Sequence, residues 1–129
     1  MYVEKPLALT AEECMSIKDK IKPDQILMVG HIFLYNDRLK KVKELTSKVG
    51  NIQHIESNRL NWGRFQKRIS TVHSLAPHDV SIIHYLLGYH EFKYVINIGE
   101  KFTKFPQNDR DEFSFECNGV SVKFNLQPN

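Results

Sequence analysis

Phe113-Ser114-Phe115-Glu116-Cys117-Asn118-Gly119-Val120-Ser121-Val122-Lys123-Phe124-Asn125-Leu126 is the stretch on which the fold turns. Phe113, Phe115 and Cys117 alternate with polar residues before the Asn-Gly pair, and Val120, Val122, Phe124 and Leu126 alternate after it. A period of two lays one face of each run against a core. Asn-Gly between two such runs specifies a hairpin, because both central residues of the tight turn need positive φ. Upstream, Phe92, Tyr94, Ile96 and Ile98 alternate in the same way, and Ile52 to Trp62 reads as extended. The C-terminal part is therefore predicted to be an antiparallel sheet.

Helical signals precede and interrupt these strands. Val80, Ile83, Leu86 and Leu87 have helical spacing, with Pro77-His78-Asp79 read as the start and Gly88 as the stop. Gly63 to Thr71 reads as a polar, basic loop bearing Arg64, Lys67 and Arg68. Leu39, Val42, Leu45 and Val49 predict a helix from Asp37 to Lys48, capped by Asn36 or Asp37 and stopped by Gly50. At the N-terminus, Tyr2 to Glu4 reads as a short strand closed by Lys5-Pro6. Thr10-Ala11-Glu12-Glu13 is a capping box, so a helix follows to about Ile21 and ends before Pro23. Ile26 to Gly30 is a continuous apolar run, as in a buried parallel strand. Strand, helix and strand within about 30 residues make a βαβ unit. The expected class is α+β: a βαβ unit over residues 1–33, then an antiparallel sheet with helices on one face over 34–129.

Bulk properties narrow the functional classes. A chain of 129 residues with 41% hydrophobic and 26% charged residues is long enough to bury one sizeable core. The net charge of +3 is spread out, and its densest run, Lys40-Lys41-Val42-Lys43, falls on the outer face of a predicted helix. A nucleic-acid surface would need a larger basic stripe, so none is expected. No apolar stretch reaches the length of a membrane span, and the N-terminus does not read as a signal peptide. Cys14 and Cys117 both fall in apolar settings, which predicts two reduced core thiols in a cytoplasmic protein. His31, His54, His73, His84 and His90 share no metal-ligand spacing and read as ordinary surface or core histidines, so no metal is expected. Trp62, Phe102 and Phe105 read as packing residues.

Several words of the sequence resemble the glucose–fructose oxidoreductase/inositol dehydrogenase (Gfo/Idh/MocA) family of NAD(P)-dependent sugar oxidoreductases. Val3-Glu4-Lys5-Pro6-Leu7-Ala8-Leu9 is similar to the strand that ends in the family's Glu-Lys-Pro motif. Val29-Gly30-His31, with Tyr35-Asn36 after it, resembles the crossing from the nucleotide domain into the second domain. Ser57-Asn58-Arg59-Leu60-Asn61-Trp62-Gly63-Arg64 and Leu75-Ala76-Pro77-His78-Asp79-Val80-Ser81-Ile82 are similar to the branch that oxidises UDP-N-acetyl-hexosamines and their uronates. The resemblance implies that residues 1–33 are a remnant of the nucleotide-binding domain and 34–129 a substrate-binding and dimerisation domain, truncated at both ends. The fingerprint G-x-G-x-x-G, which brings pyrophosphate to a helix N-terminus, is absent from the sequence.

By the same resemblance Lys5 and His78 are the catalytic pair. Oxidation of a sugar hydroxyl needs a base for the O–H proton, and a histidine suits it near neutral pH. Lys5 would orient the hydroxyl or relay its proton. Arg59, Asn61, Arg64, Tyr35 and Asp79 are expected on the substrate, the guanidinium forks suiting a diphosphate or carboxylate. Asp79 reads otherwise as a helix cap. Glu4 and Pro6 are expected on the cofactor, NAD or NADP, which this chain alone would not hold tightly. Two positions depart from the family pattern: Ser74 stands where many members have an aspartate, and Leu34 where they have an arginine. Serine offers one hydrogen bond but no charge to an imidazolium. The function implied is the substrate half of a sugar or nucleotide-sugar oxidoreductase. The alternative is a non-catalytic oligomerisation or sugar-binding domain of the same descent. Exposed sheet faces and strand edges predict a homo-oligomer; a fragment with no function of its own is the third reading.

Overall fold

A computed structural model of the chain describes residues 1–61, 69–101 and 109–128, with Asn61 and Pro128 described by their backbone alone. Its elements are β1 (Tyr2–Val3), α1 (Ala11–Asp19), β2 (Met28–Val29), a 3₁₀ turn (Ile32–Tyr35), α2 (Asp37–Val49), β3 (His54–Asn61), α3 (Thr71–Leu87), β4 (Phe92–Glu100), β5 (Arg110–Cys117) and β6 (Val120–Pro128). The protein is α+β, as the sequence predicts. Trp62, Arg64, Lys67, Arg68, Phe102 and Phe105 lie outside the described residues.

The hairpin forms as read. Asn118 and Gly119 take φ values of 52° and 75°, and Cys117 pairs with Val120 across the turn. Val122, Phe124 and Leu126 of β6 and Cys117 of β5 are fully buried beneath α3, which contributes Ala76 and Ile83. Each large apolar side chain so buried contributes roughly 1.5–3 kcal/mol. The strand order is β3-β6-β5-β4.

Three sequence expectations need correction here. The sheet is mixed rather than antiparallel, because β3 runs parallel to β6 from the His54–Ser121 pair to the Asn61–Pro128 pair. The long passage through α3, β4 and β5 between them makes a crossover of the kind parallel neighbours require. Second, α3 does not begin at Pro77: Ser70 caps it, its hydroxyl accepting from the His73 N–H at 3.3 Å, and Pro77 lies inside the helix. Third, the alternation of β4 breaks at a bulge, where the register shifts between Lys93 and Ile96 and Tyr94 takes a φ of 53°. A bulge adds one residue and reverses which face the following residues occupy. Phe92 therefore faces the core opposite Cys117, whereas Ile96 and Ile98 stand opposite Ser114 and Glu112 on the open face.

The N-terminal unit is a small parallel ladder, Tyr2 with Met28 and Val3 with Val29, joined through α1. The capping box of Thr10 and Glu13 is complete, both bonds at 3.2 Å. The second strand is shorter and more open than its apolar run suggests, with Ile26 81% exposed. Of the two cysteines, both free, Cys117 is buried and Cys14 only half-buried. Contacts with α3 hold the N-terminal segment in place: the Lys5 ammonium donates to the Ser74 carbonyl, and the His73 ring hydrogen-bonds the Leu9 carbonyl at 3.0 Å. No helix among the described residues is long and apolar enough to cross a membrane.

Candidate functional site

Lys5 and His31 each follow a strand of the parallel ladder, Lys5 just past β1 and His31 just past β2. Carboxyl ends of parallel strands are where open α/β sheets gather ligand-facing residues. A Cβ on Gly30 would lie 2.4 Å from the Tyr2 hydroxyl and 3.2 Å from a Glu4 carboxylate oxygen, so a larger residue there would push these side-chain ends aside. The Lys5-Pro6 peptide is cis.

The Lys5 side chain crosses to α3 and docks on the Ser74 carbonyl. In the same stretch Pro77 interrupts the helical ladder, since it has no N–H for the His73 carbonyl four residues back and its ring crowds that carbonyl. One turn beyond Ser74 stands His78. Its ring meets the edge of Phe33 at 4.9 Å between centroids and 82° between planes. Phe33 belongs to the 3₁₀ turn that follows His31, and its other neighbour is the Arg59 guanidinium, 4.7 Å over its ring. Cation and aromatic face attract through the ring quadrupole.

Arg59 is held in turn by Asp79. Its Nε donates to Asp79 Oδ2 at 2.5 Å, and the Ser57 hydroxyl donates to Asp79 Oδ1 at 2.7 Å. Asp79 is 3% exposed and sits mid-helix, so the cap reading is corrected: both its oxygens serve neighbours on β3. The chain Asp79–Arg59–Phe33–His78 thus braces the imidazole from three elements.

Electrostatics follow from this crowding. Burial, then the Lys5 ammonium and the Arg59 guanidinium, push His78 down to about 4, with His31 adding to the depression and Asp79 opposing it. His78 is therefore neutral at pH 7, in the form that accepts a proton. Burial, then Lys5, also lowers His31. Lys5 itself is lowered by burial and by Arg59, with Glu4 opposing. The Nδ1 atoms of both His31 and His78 are buried without a hydrogen-bond partner among the described residues.

Of the residues singled out from the sequence, Lys5, His78, Arg59 and Asp79 come together. Glu4 and Pro6 flank Lys5, and the exposed Glu4 carboxylate accepts from the Tyr2 hydroxyl at 3.1 Å. Tyr35 ends the 3₁₀ turn and is 63% exposed. The backbone of Asn61 ends β3, and Arg64 is outside the described residues. Sequence reasoning passed over His31, Phe33 and Ser57. Position was the available signal for His31, which follows the second predicted strand as Lys5 follows the first. No group of three or more histidine, cysteine or carboxylate side chains suits a metal among the described residues. A separate open cleft of about 550 Å³ lies at the C-terminal end of α3, bordered by Lys43, Thr46, Leu86 and Asn118. Its described lining has no carboxylate, histidine or cysteine.

The fold resembles that of a class of proteins, the oxidoreductases. Myo-inositol 2-dehydrogenase from Lactobacillus plantarum superposes with a TM-score of 0.82 at 16% identity, over 99% of this chain and 43% of that protein. Scyllo-inositol dehydrogenase from Lactobacillus casei gives 0.81 at 18% identity, over 99% and 42%. An oxidoreductase from Agrobacterium radiobacter, in complex with NAD+, L-tartaric acid and magnesium, gives 0.81 at 17%, over 98% and 40%. The chain thus spans about two fifths of the length of these proteins and shares their fold over that span. No protein-family model and no curated protein sequence matches it.

Proposed function

We propose that the chain is the substrate-facing portion of a Gfo/Idh/MocA-type oxidoreductase acting on a sugar or UDP-sugar, with Lys5 and His78 as its catalytic pair. One observation carries this reading: the Lys5 ammonium, just past a strand of the parallel ladder, docks on the Ser74 carbonyl one helical turn before the neutral His78 imidazole and helps to depress it. His78 accepts the proton of the sugar hydroxyl, and Lys5, anchored on Ser74, orients that hydroxyl. The free amino groups of Arg59, whose Nε is taken by Asp79, face the anionic part of the substrate, with Tyr35 as a further contact and Asp79 acting through Arg59; Asn61 and Arg64 are assigned to the same ligand by the family resemblance alone. Glu4 and Pro6, beside Lys5, belong to the cofactor side.

NAD or NADP, when bound, supplies the hydride acceptor. The residues here do not fit its pyrophosphate, since no glycine-lined turn leads into a helix N-terminus among the described residues. That half of the cofactor is assigned to no residue of this chain. Both free cysteines accord with a cytoplasmic setting.

Dehydrogenase turnover over a panel of UDP-sugars, with and without a separate family nucleotide-binding domain, tests the reading. Turnover abolished by Lys5→Met and by His78→Asn is the expected outcome. Turnover unchanged in both variants rejects the assignment.

A second reading, a non-catalytic oligomerisation or sugar-binding domain, draws on the open face of the sheet. Ile96, Ile98 and Leu60 are exposed there beside a polar centre that includes the Lys123–Glu112 ion pair at 2.9 Å. Either reading takes the protein as a homo-oligomer assembled through sheet faces or edges.

A further inference from the structure

Lys5 holds its ammonium on α3 from within a loop, the stretch between β1 and α1 that carries no regular secondary structure. Among the described residues two polar contacts tie residues 5–9 to α3, and they fall on adjacent helical residues. The Lys5 ammonium donates to the Ser74 carbonyl, and the Leu9 carbonyl lies 3.0 Å from His73 Nε2. His73 is fixed in turn by the helix cap, since the Ser70 hydroxyl lies 2.7 Å from its Nδ1. A carbonyl only accepts, so Nε2 carries a hydrogen, and in the neutral ring Nδ1 is bare and accepts from the Ser70 hydroxyl. That hydroxyl oxygen also accepts from the His73 backbone N–H at 3.3 Å. The ring is thus held to the helix end with one donor aimed at the loop. We propose that His73 is a positioning residue for Lys5: its Nε2–H holds the Leu9 carbonyl and keeps the loop close enough to α3 for the ammonium to reach Ser74, one turn before His78.

The effect on turnover rests on the dehydrogenase reading; the placement of the ammonium does not. A lysine side chain is a flexible four-carbon stem, so the loop that bears it decides where its charge stands. Once docked, the Lys5 ammonium is half-buried, and burial, then Arg59, lower its pKa while Lys5 in turn lowers that of His78. Release of the loop returns the ammonium to water and takes a cation away from His78. A hydroxyl oriented by Lys5 then loses its partner, and a misplacement of about 1 Å can cost about 100-fold in rate.

Two variants separate the ring nitrogens. The amide of His73→Asn reaches the place of Nδ1 and keeps the Ser70 contact; that of His73→Gln reaches the place of Nε2 and keeps the donor to Leu9. NMR titration of the lysine Cε signals of the full chain, with Lys5→Arg to assign the signal, reads the ammonium directly. Expected is a Lys5 midpoint that rises in His73→Asn and stays at the wild-type value in His73→Gln, with the His78 ring midpoint rising in His73→Asn alone. Combined with a separate family nucleotide-binding domain, His73→Asn should lose about 100-fold in kcat with KM nearly unchanged, and His73→Gln should recover it. A Lys5 midpoint equal in wild type and His73→Asn overturns the proposal, as do equal shifts in both variants, or a kcat retained in His73→Asn where wild type turns over. If His73→Asn fails to fold, the ring ¹⁵N shifts of wild-type His73 at pH 8 decide: a hydrogen on Nε2 supports the assignment and one on Nδ1 overturns it. The Lys5 shift without turnover on any sugar, even in wild type, would sink the dehydrogenase reading and leave the placement standing. Turnover abolished by Lys5→Met but untouched by His73→Asn would do the reverse.

Discussion

At the scale of single residues, Asp79 decides more than its neighbour in sequence suggests. It follows His78, but its carboxylate turns to β3 and neutralises Arg59, and through Arg59 and Phe33 it bears on the imidazole. Removing one partner of a buried charge pair strands the other. Asp79→Ala is therefore expected to cost about 3 kcal/mol, read from urea denaturation. Ser57→Ala, which removes one hydroxyl donor from the same carboxylate, is expected to cost about 1.5 kcal/mol. His78 makes a separate statement through pH. Its folded pKa, about 4, lies below the ordinary histidine value of 6.5, so between these the unfolded chain binds the proton and the folded chain does not. Its contribution is thus present above pH 6.5 and is lost as pH falls towards 4. Thermal midpoints measured across that window should fall less steeply in His78→Asn than in wild type.

At the scale of elements, α3 shows a local rule losing to its surroundings. Proline disfavours helical backbone in the residue before it, which places the helix start at Pro77 when the sequence is read locally. The helix instead starts six residues earlier, because Ser70 supplies a cap and Thr71 and Ala76 are buried. Ser70→Ala is expected to lower stability by about 1 kcal/mol in denaturant unfolding. The hairpin is the opposite case, since Asn118-Gly119 was readable directly and the structure uses both positive φ values. Gly119→Ala, in a left-handed position with open space around it, should cost about 1 kcal/mol from backbone strain alone. Circular dichroism should show the strands retained in that variant.

At the scale of the whole molecule, the sheet has one face under α3 and one open, and the bulge at Tyr94 sends Ile96 and Ile98 to the open one. A homo-oligomer formed through that face should come apart when a charge is placed in it. Light scattering at micromolar concentration is expected to show an assembly for wild type and a monomer for Ile98→Lys; a monomeric wild type would remove the interface. The α+β class, the hairpin and the capping box were set by local chemistry, because hydrophobic period, positive-φ residues and caps act within a few positions. What the tertiary structure alone decided was the parallel seating of β3 on β6, the early start of α3, and the meeting of Lys5, His31, Arg59 and Asp79 around His78. Those depend on packing between distant segments, where burial, charge and the crossover path outweigh the preference of any one stretch.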